Sequence, residues 1–201
     1  PDDYVEMPDA ASLRPAAALT FGGWFRTDSG ASGQTLLQKA DARFGSEGYA
    51  AEIQTPNSLR AHLAVESGQA SVNPWGVATQ DGQWHHLVCT WDGSSFVMYL
   101  DGAEVGRDDS QSGQIVHSSR SMYVGRGDNG YTSYYAMDGS VDDIRVYNTA
   151  LTETQVATIV DGTTSDEPTP TDPEPPTVPN DEFGENGFGI YGYGGGDGSE
   201  Q

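Results

Sequence analysis

The sequence predicts an all-β protein: two antiparallel sheets packed face to face as a sandwich, with one short helix at the end and an extended tail beyond it. Three observations carry this. Apolar residues alternate with polar ones at period two over short runs, as on half-buried strands. Clusters of Gly, Asp, Asn and Ser separate the runs about every 8–12 residues, the spacing of a sandwich or barrel. Finally, residues 84–102 hold two apolar segments joined by Asp92-Gly93 and closed by Asp101-Gly102. Asp-Gly supplies the positive φ angles of tight hairpin turns, so this run reads as a meander leading into a third strand at 103–105. Leu87, Cys89 and Trp91 share one face, opposite His86, Val88 and Thr90; Phe96, Met98 and Leu100 alternate with Val97 and Tyr99. Both faces are largely apolar, which suits strands covered on both sides and places the meander at the centre of the sandwich.

The remaining elements follow in order. Strands are expected at 4–7, 19–27, 35–40, 49–54 and 59–66, with Leu19, Phe21 and Phe25 on one face. Gly22-Gly23 inside the second of these marks a bulge or a close backbone approach. Residues 67–80 read as a loop carrying Trp75, 110–119 as irregular, 122–125 as a strand, 126–135 as a polar loop and 140–147 as the last strand. Thr152 and Gln155 have the spacing of a capping box, so a helix is expected over 153–160, stopped at Gly162. Composition then shifts abruptly. Residues 1–162 form the sandwich, 163–182 an acidic Pro/Thr-rich linker and 183–201 a Gly/aromatic-rich tail.

Charge narrows the function. The chain has 30 acidic and 9 basic residues, a net charge of −21, and Lys39 is its only lysine. The last 39 residues hold nine acids and no base, so 12 of the excess negative charges belong to the domain. Nucleic-acid binding needs clustered Lys and Arg and is excluded on this balance. Attraction to an anionic membrane surface is disfavoured likewise, and no stretch approaches the ~20 apolar residues of a span. An acid-rich, lysine-poor domain points to a salt-rich setting, where ions screen self-repulsion; an ordinary acidic extracellular protein is the alternative. Cys89 is the only cysteine, so no intrachain disulfide forms, and its apolar strand face marks it as a small buried hydrophobe. No signal peptide opens the chain, and a trimmed or mature fragment is expected.

Several segments together resemble laminin-G-like domains of the concanavalin A-like jelly-roll superfamily. They are Tyr4-Val5, Leu19-Thr20-Phe21-Gly22-Gly23-Trp24, the run from Trp84 to Gly102, Met122-Tyr123-Val124-Gly125-Arg126, and Asp138 to Leu151 with its Ser140-Val141-Asp142-Asp143-Ile144 core. The resemblance covers residues 2–161 and implies a two-sheet jelly roll that binds carbohydrate or protein outside the cell. It also implies a structural calcium ion: Asp142 lies where related proteins often hold calcium against the N-terminal segment, with Asp2 or Asp3 and backbone carbonyls completing six to eight oxygens. The alternative is that Asp142 pairs backbone groups at a sheet edge.

Glycosidases of related folds set two or three carboxylates at alternating positions on one strand. Here Glu52 and Glu66 are isolated, Asp142 and Asp143 are adjacent and so are expected on opposite faces, and His85-His86 have no nucleophile at a matching spacing. The expectation is a non-catalytic protein. Trp75, Tyr131, Tyr134 and Tyr135 fall in loops, where aromatics with polar tips stack on sugar rings while Asn73, Asp128 and Asn129 bind hydroxyls; folding back over the sheet is the alternative. Arg126-Gly127-Asp128 spells an integrin-type tripeptide that chance accounts for, and no Asn-x-Ser/Thr acceptor occurs.

The tail carries the last expectation. Six prolines among acids and threonines over 163–181 favour an extended spacer. Phe183, Phe188, Ile190, Tyr191 and Tyr193, spaced by glycines, read as an assembly anchor that meets a neighbouring subunit. The sequence thus describes an extracellular recognition and display domain for glycans or surface glycoproteins, tethered to a cell surface, filament or virion. An accessory carbohydrate-binding module of a secreted polysaccharide-degrading enzyme is the alternative.

Overall fold

The structure, a computed structural model, describes residues 3–40, 46–127 and 136–162. Eleven strands and one α-helix lie among them: β1 (Val5–Met7), β2 (Leu19–Arg26), β3 (Gln34–Ala40), β4 (Gly48–Thr55), β5 (Ser58–Val65), β6 (Gly68–Val72), β7 (Trp84–Trp91), β8 (Phe96–Leu100), β9 (Ala103–Asp108), β10 (Met122–Val124), β11 (Ser140–Tyr147) and α1 (Glu153–Val160). They form a six-stranded sheet in the order β1-β10-β3-β4-β5-β6 and a five-stranded sheet in the order β11-β2-β7-β8-β9. Every pairing is antiparallel.

The core lies between the sheets, where the alternation read from the sequence puts it. Phe21, Phe25, Leu87, Cys89, Trp91, Phe96 and Met98 from one sheet meet Leu37, Tyr49, Ile53, Leu59 and Leu63 from the other. Phe21 sits 4.8 Å from the ring of Tyr49. Cys89 is fully buried, which pushes its thiol well above the usual pKa and leaves it inert.

The second apolar face of the meander is covered as well. Val88, Val97 and Tyr99 pack under Leu151 and Val156. Helix α1 begins with the expected capping box, Thr152 and Gln155 satisfying each other's backbone N–H groups. The Thr20 hydroxyl ties it down, donating to Thr149 O at 2.7 Å and accepting from Leu151 N at 2.9 Å. The Asp101-Gly102 turn has φ of 52° and 83°, the two positive values a tight hairpin requires.

Three expectations need correction. The meander runs from the middle of the five-stranded sheet to its edge, because β9 is polar and half-exposed, fit for an edge rather than a centre. Residues 67–80 contain a strand, β6, whose sequence Gly-Gln-Ala-Ser-Val has little of the β-branched and aromatic content that signals one. Asp142 and Asp143 do not alternate across the sheet: the register shifts between Asp142 and Arg145, and Asp143 takes φ 47° in a bulge.

Candidate functional site

In the six-stranded sheet one face belongs to the core, so the alternate residues face outward, and those are unusually polar. The register aligns Glu6, Tyr123, Gln38, Ala50, His62 and Ser71 in one row across all six strands. The neighbouring row aligns Thr35, Glu52 and Arg60. Thr35, Gln38, Glu52 and His62 are buried although they face away from the core. Gly127 lies against this face: a Cβ there would collide with the Thr35 hydroxyl and the Gln38 amide.

The accessible side of the face is at β5 and β6. Arg60 and Ser71 are partly exposed, and Asn73 is exposed and donates to the Ser71 hydroxyl at 3.1 Å. Trp75 forms an isolated bridge with Ser58 and leaves 74% of its surface in solvent. Its loop is stapled to the β4–β5 turn by bonds from Leu59 N to Pro74 O, Gly76 N to Asn57 O and Thr79 N to Pro56 O. The indole is thus presented on a fixed backbone rather than folded inward. At the opposite edge, Arg126 stacks 4.4 Å from the Tyr4 ring, and the Tyr123 hydroxyl donates to Glu6 at 3.1 Å.

The structure therefore brings Trp75 and Asn73 together with Ser71 and Arg60, which are not candidates in the sequence, while His62 and Glu52 lie buried in the rows behind them. Asp128, Asn129, Tyr131, Tyr134 and Tyr135 lie outside the described residues, as do Asp2 and the anchor residues Phe183, Phe188, Ile190, Tyr191 and Tyr193. Of the metal candidates, Asp3 precedes β1 in one sheet, whereas Asp142 belongs to β11 in the other and accepts from Asp143 N at 2.8 Å. Among the described residues no three His, Cys, Asp or Glu side chains gather to hold a metal ion.

The carboxylates of this face do not form a hydrolytic pair. Glu52 and Glu6 stand three strands apart, which at ~4.8 Å per strand is about 14 Å. Paired glycosidase carboxylates stand roughly 5 to 9.5 Å apart. The arrangement suits hydrogen bonding to a polyhydroxylated ligand beside an aromatic platform.

The other histidines serve structure. His117 Nε2–H donates to Pro15 O at 2.7 Å, and burial holds its pKa down, as it does that of His86. His85 differs. Burial opposes its charge, but hydrogen bonds to Asp101 at 2.8 Å and Asp81 at 3.1 Å prevail and raise its pKa. A group whose folded pKa exceeds its unfolded one stabilises fully below the unfolded value and loses that contribution as pH rises through the folded one. The melting temperature is therefore expected to fall as pH rises from about 6 through 8, and His85→Gln to flatten that slope; equal slopes in the two proteins would refute the clip.

Two antiparallel sheets closing on one core, with a single short helix packed outside, define a concanavalin A-like jelly roll. The chain belongs to the Laminin_G_3 family of the Concanavalin A-like lectin/glucanases superfamily, which it matches over residues 1–157. Among solved structures it is similar to the binding domain of Paraclostridial Mosquitocidal Protein 1, with a TM-score of 0.62, 12% identity, and coverage of 79% of this chain and 41% of that one. It is also similar to the CBM40 domain of the Ruminococcus gnavus IT-sialidase bound to α2,3-sialyllactose (0.60, 10%, 79% and 96%). A third is domain 4 of AbnA, a GH43 extracellular arabinanase from Geobacillus stearothermophilus, in complex with arabinotriose (0.54, 18%, 78% and 72%). The chain spans about two fifths of the matched toxin chain. At these identities the likeness is one of fold. No curated protein matches the chain, and no helix among the described residues is long and apolar enough to cross a membrane.

Proposed function

We propose that this protein is a non-catalytic glycan-recognition domain displayed outside the cell. The carrying observation is Trp75: a large indole, 74% exposed, fixed by backbone bonds beside a polar sheet face. An indole held in this way is a ready platform for a sugar ring, and Asn73, Ser71 and Arg60 stand beside it to take hydroxyls. The fold likeness supports the reading, since two of the similar domains were solved with a bound saccharide, α2,3-sialyllactose in one and arabinotriose in the other.

Our reading extends to the setting. The net charge of −21 suits a salt-rich exterior, and Phe183, Phe188, Ile190, Tyr191 and Tyr193 would tether the domain to neighbouring subunits of a surface, filament or virion. A second reading, an accessory module of a polysaccharide-degrading enzyme, is favoured by the likeness to domain 4 of an arabinanase. A catalytic region in the same polypeptide decides for it.

The test is a glycan array at molar salt followed by titration of the best ligand. Trp75→Ala is expected to weaken binding roughly two- to tenfold, from ring contact worth about 0.5–1.5 kcal/mol. A flat array with wild-type protein would leave an architectural role instead.

A further inference from the structure

On the other sheet, the end where β2, β7 and β11 meet carries a separate group of residues. The register sets Arg26 between Trp84 and Ser140. All three face away from the core, as the alternation with buried Phe25 requires. The Arg26 guanidinium lies 5.1 Å from the centre of the Trp84 ring, which is 40% exposed. Beside them opens a cleft of about 330 Å³ lined by Arg26, Thr27, Asp28, Gly82, Gly139 and Ser140. Its floor is fixed by backbone: Gly82 N donates to Thr27 O at 3.1 Å, and the Thr27 hydroxyl donates to Asp138 O at 2.6 Å.

Charge makes this cleft unusual. In a chain with 30 acids and 9 bases, carboxylates are abundant partners for every arginine. Arg14, Arg107 and Arg145 each hold one. Among the described residues the ion pairs formed by arginine do not include Arg26, whose guanidinium lies over the Trp84 ring instead. A guanidinium laid on an indole is held by stacking while its in-plane N–H fork stays free, and that fork matches a carboxylate bidentately.

We propose that this cleft binds the carboxylate of an acidic saccharide, a uronate or a sialate. Arg26 takes the carboxylate, the indole of Trp84 supports the ring, and Ser140 and Asp28 bind hydroxyls. Asp28 on the wall also repels densely anionic chains, so a singly charged sugar unit fits where a nucleic acid does not. The site is separate from the Trp75 face and stands whether or not that face binds a glycan.

Four probes test it on the full chain at fixed salt by titration calorimetry: methyl galacturonoside, which carries one carboxylate, its methyl ester, sialyllactose and lactose. At least one acidic probe is expected to bind while its neutral counterpart does not, and which one binds identifies the sugar acid. Arg26→Lys keeps the charge but loses the fork and is expected to weaken binding roughly ten- to hundredfold. Trp75→Ala is expected to leave it unchanged. Since Arg26 is exposed, a wild-type melting curve for Arg26→Lys separates lost recognition from lost folding. Equal binding of acid and ester, no binding of either acid, undiminished affinity in a folded Arg26→Lys protein, or a loss shared with Trp75→Ala would overturn the proposal.

Discussion

Lys39→Met is expected to destabilise the fold by about 3 kcal/mol, the sum of two hydrogen bonds from a charged donor at about 1.5 kcal/mol each. The only lysine of the chain is not on the surface at all. Its side chain is fully buried in the core-facing row of β3, where its ammonium donates to Ser118 O at 2.6 Å and Arg120 O at 2.7 Å and meets Asp9 at 2.8 Å. One charge thereby ties three segments together: a central strand, the stretch after β1, and the long connection from β9 to β10. Met preserves the apolar stem and removes only the charge, so the loss measures the bonds rather than a cavity. A urea midpoint equal to wild type would refute this.

The same cluster sets an acid limit. The hydrogen bond from Lys39 holds the Asp9 carboxyl below its ordinary pKa against the opposing effect of burial, and the charges of Lys39 and Arg14 add to it. A depressed folded pKa stabilises above the unfolded value and loses that contribution as pH falls through the folded one. Acid unfolding of the wild type should therefore draw on this pair, and Lys39→Met should weaken that part of its pH dependence. The lysine-poor surface inferred from composition holds more strongly than counting suggests, since the sole lysine is interior.

Much of the fold was legible because its strands obey a period of two and its turns use residues with a mechanism. Leu19, Phe21 and Phe25, the two faces of the meander, and the Thr152–Gln155 box all read correctly for that reason. β6 was not legible, because an edge strand shielded on one side needs few apolar residues, and Ala70 and Val72 alone supply its core face. The site was half-legible. Trp75 stood out as an aromatic between Pro74 and Gly76, in a context where no strand could bury it. Glu52, Arg60 and His62 did not, because each is a lone polar residue on its own strand. Only the register across β3, β4 and β5 places them together, and one sequence does not state its register. The available signal was weak: three successive strands each carry polar residues among small ones on the same alternating face. Arg26 and Trp84, 58 positions apart, were invisible for the same reason.

Gly22→Ala tests the local reading of Gly22-Gly23 and is expected to destabilise the protein by about 3 kcal/mol, the upper end of overpacking costs. Gly22 pairs with Val88 on one side and Arg145 on the other, in the middle of the five-stranded sheet. A Cβ there would collide with the carbonyl of Leu87 and the Cα of Val88, both backbone atoms of the central strand that cannot turn aside as a side chain would. Gly23 meets the Asp143 carbonyl and the Ile144 side chain in the same way, which is where β11 bulges. The two glycines thus let the neighbouring backbones close up on β2, and the bulge in β11 lies at that contact. Gly30→Ala is the control: nothing lies within 4 Å of its added methyl group, and its φ of 68° alone should cost roughly 1 kcal/mol. Urea midpoints that fall equally in the two variants would show that backbone conformation, not closeness, selects glycine at position 22. If Gly22→Ala falls further, binding at the Arg26 cleft should weaken with it, because parting β2 from β7 separates Arg26 from Trp84.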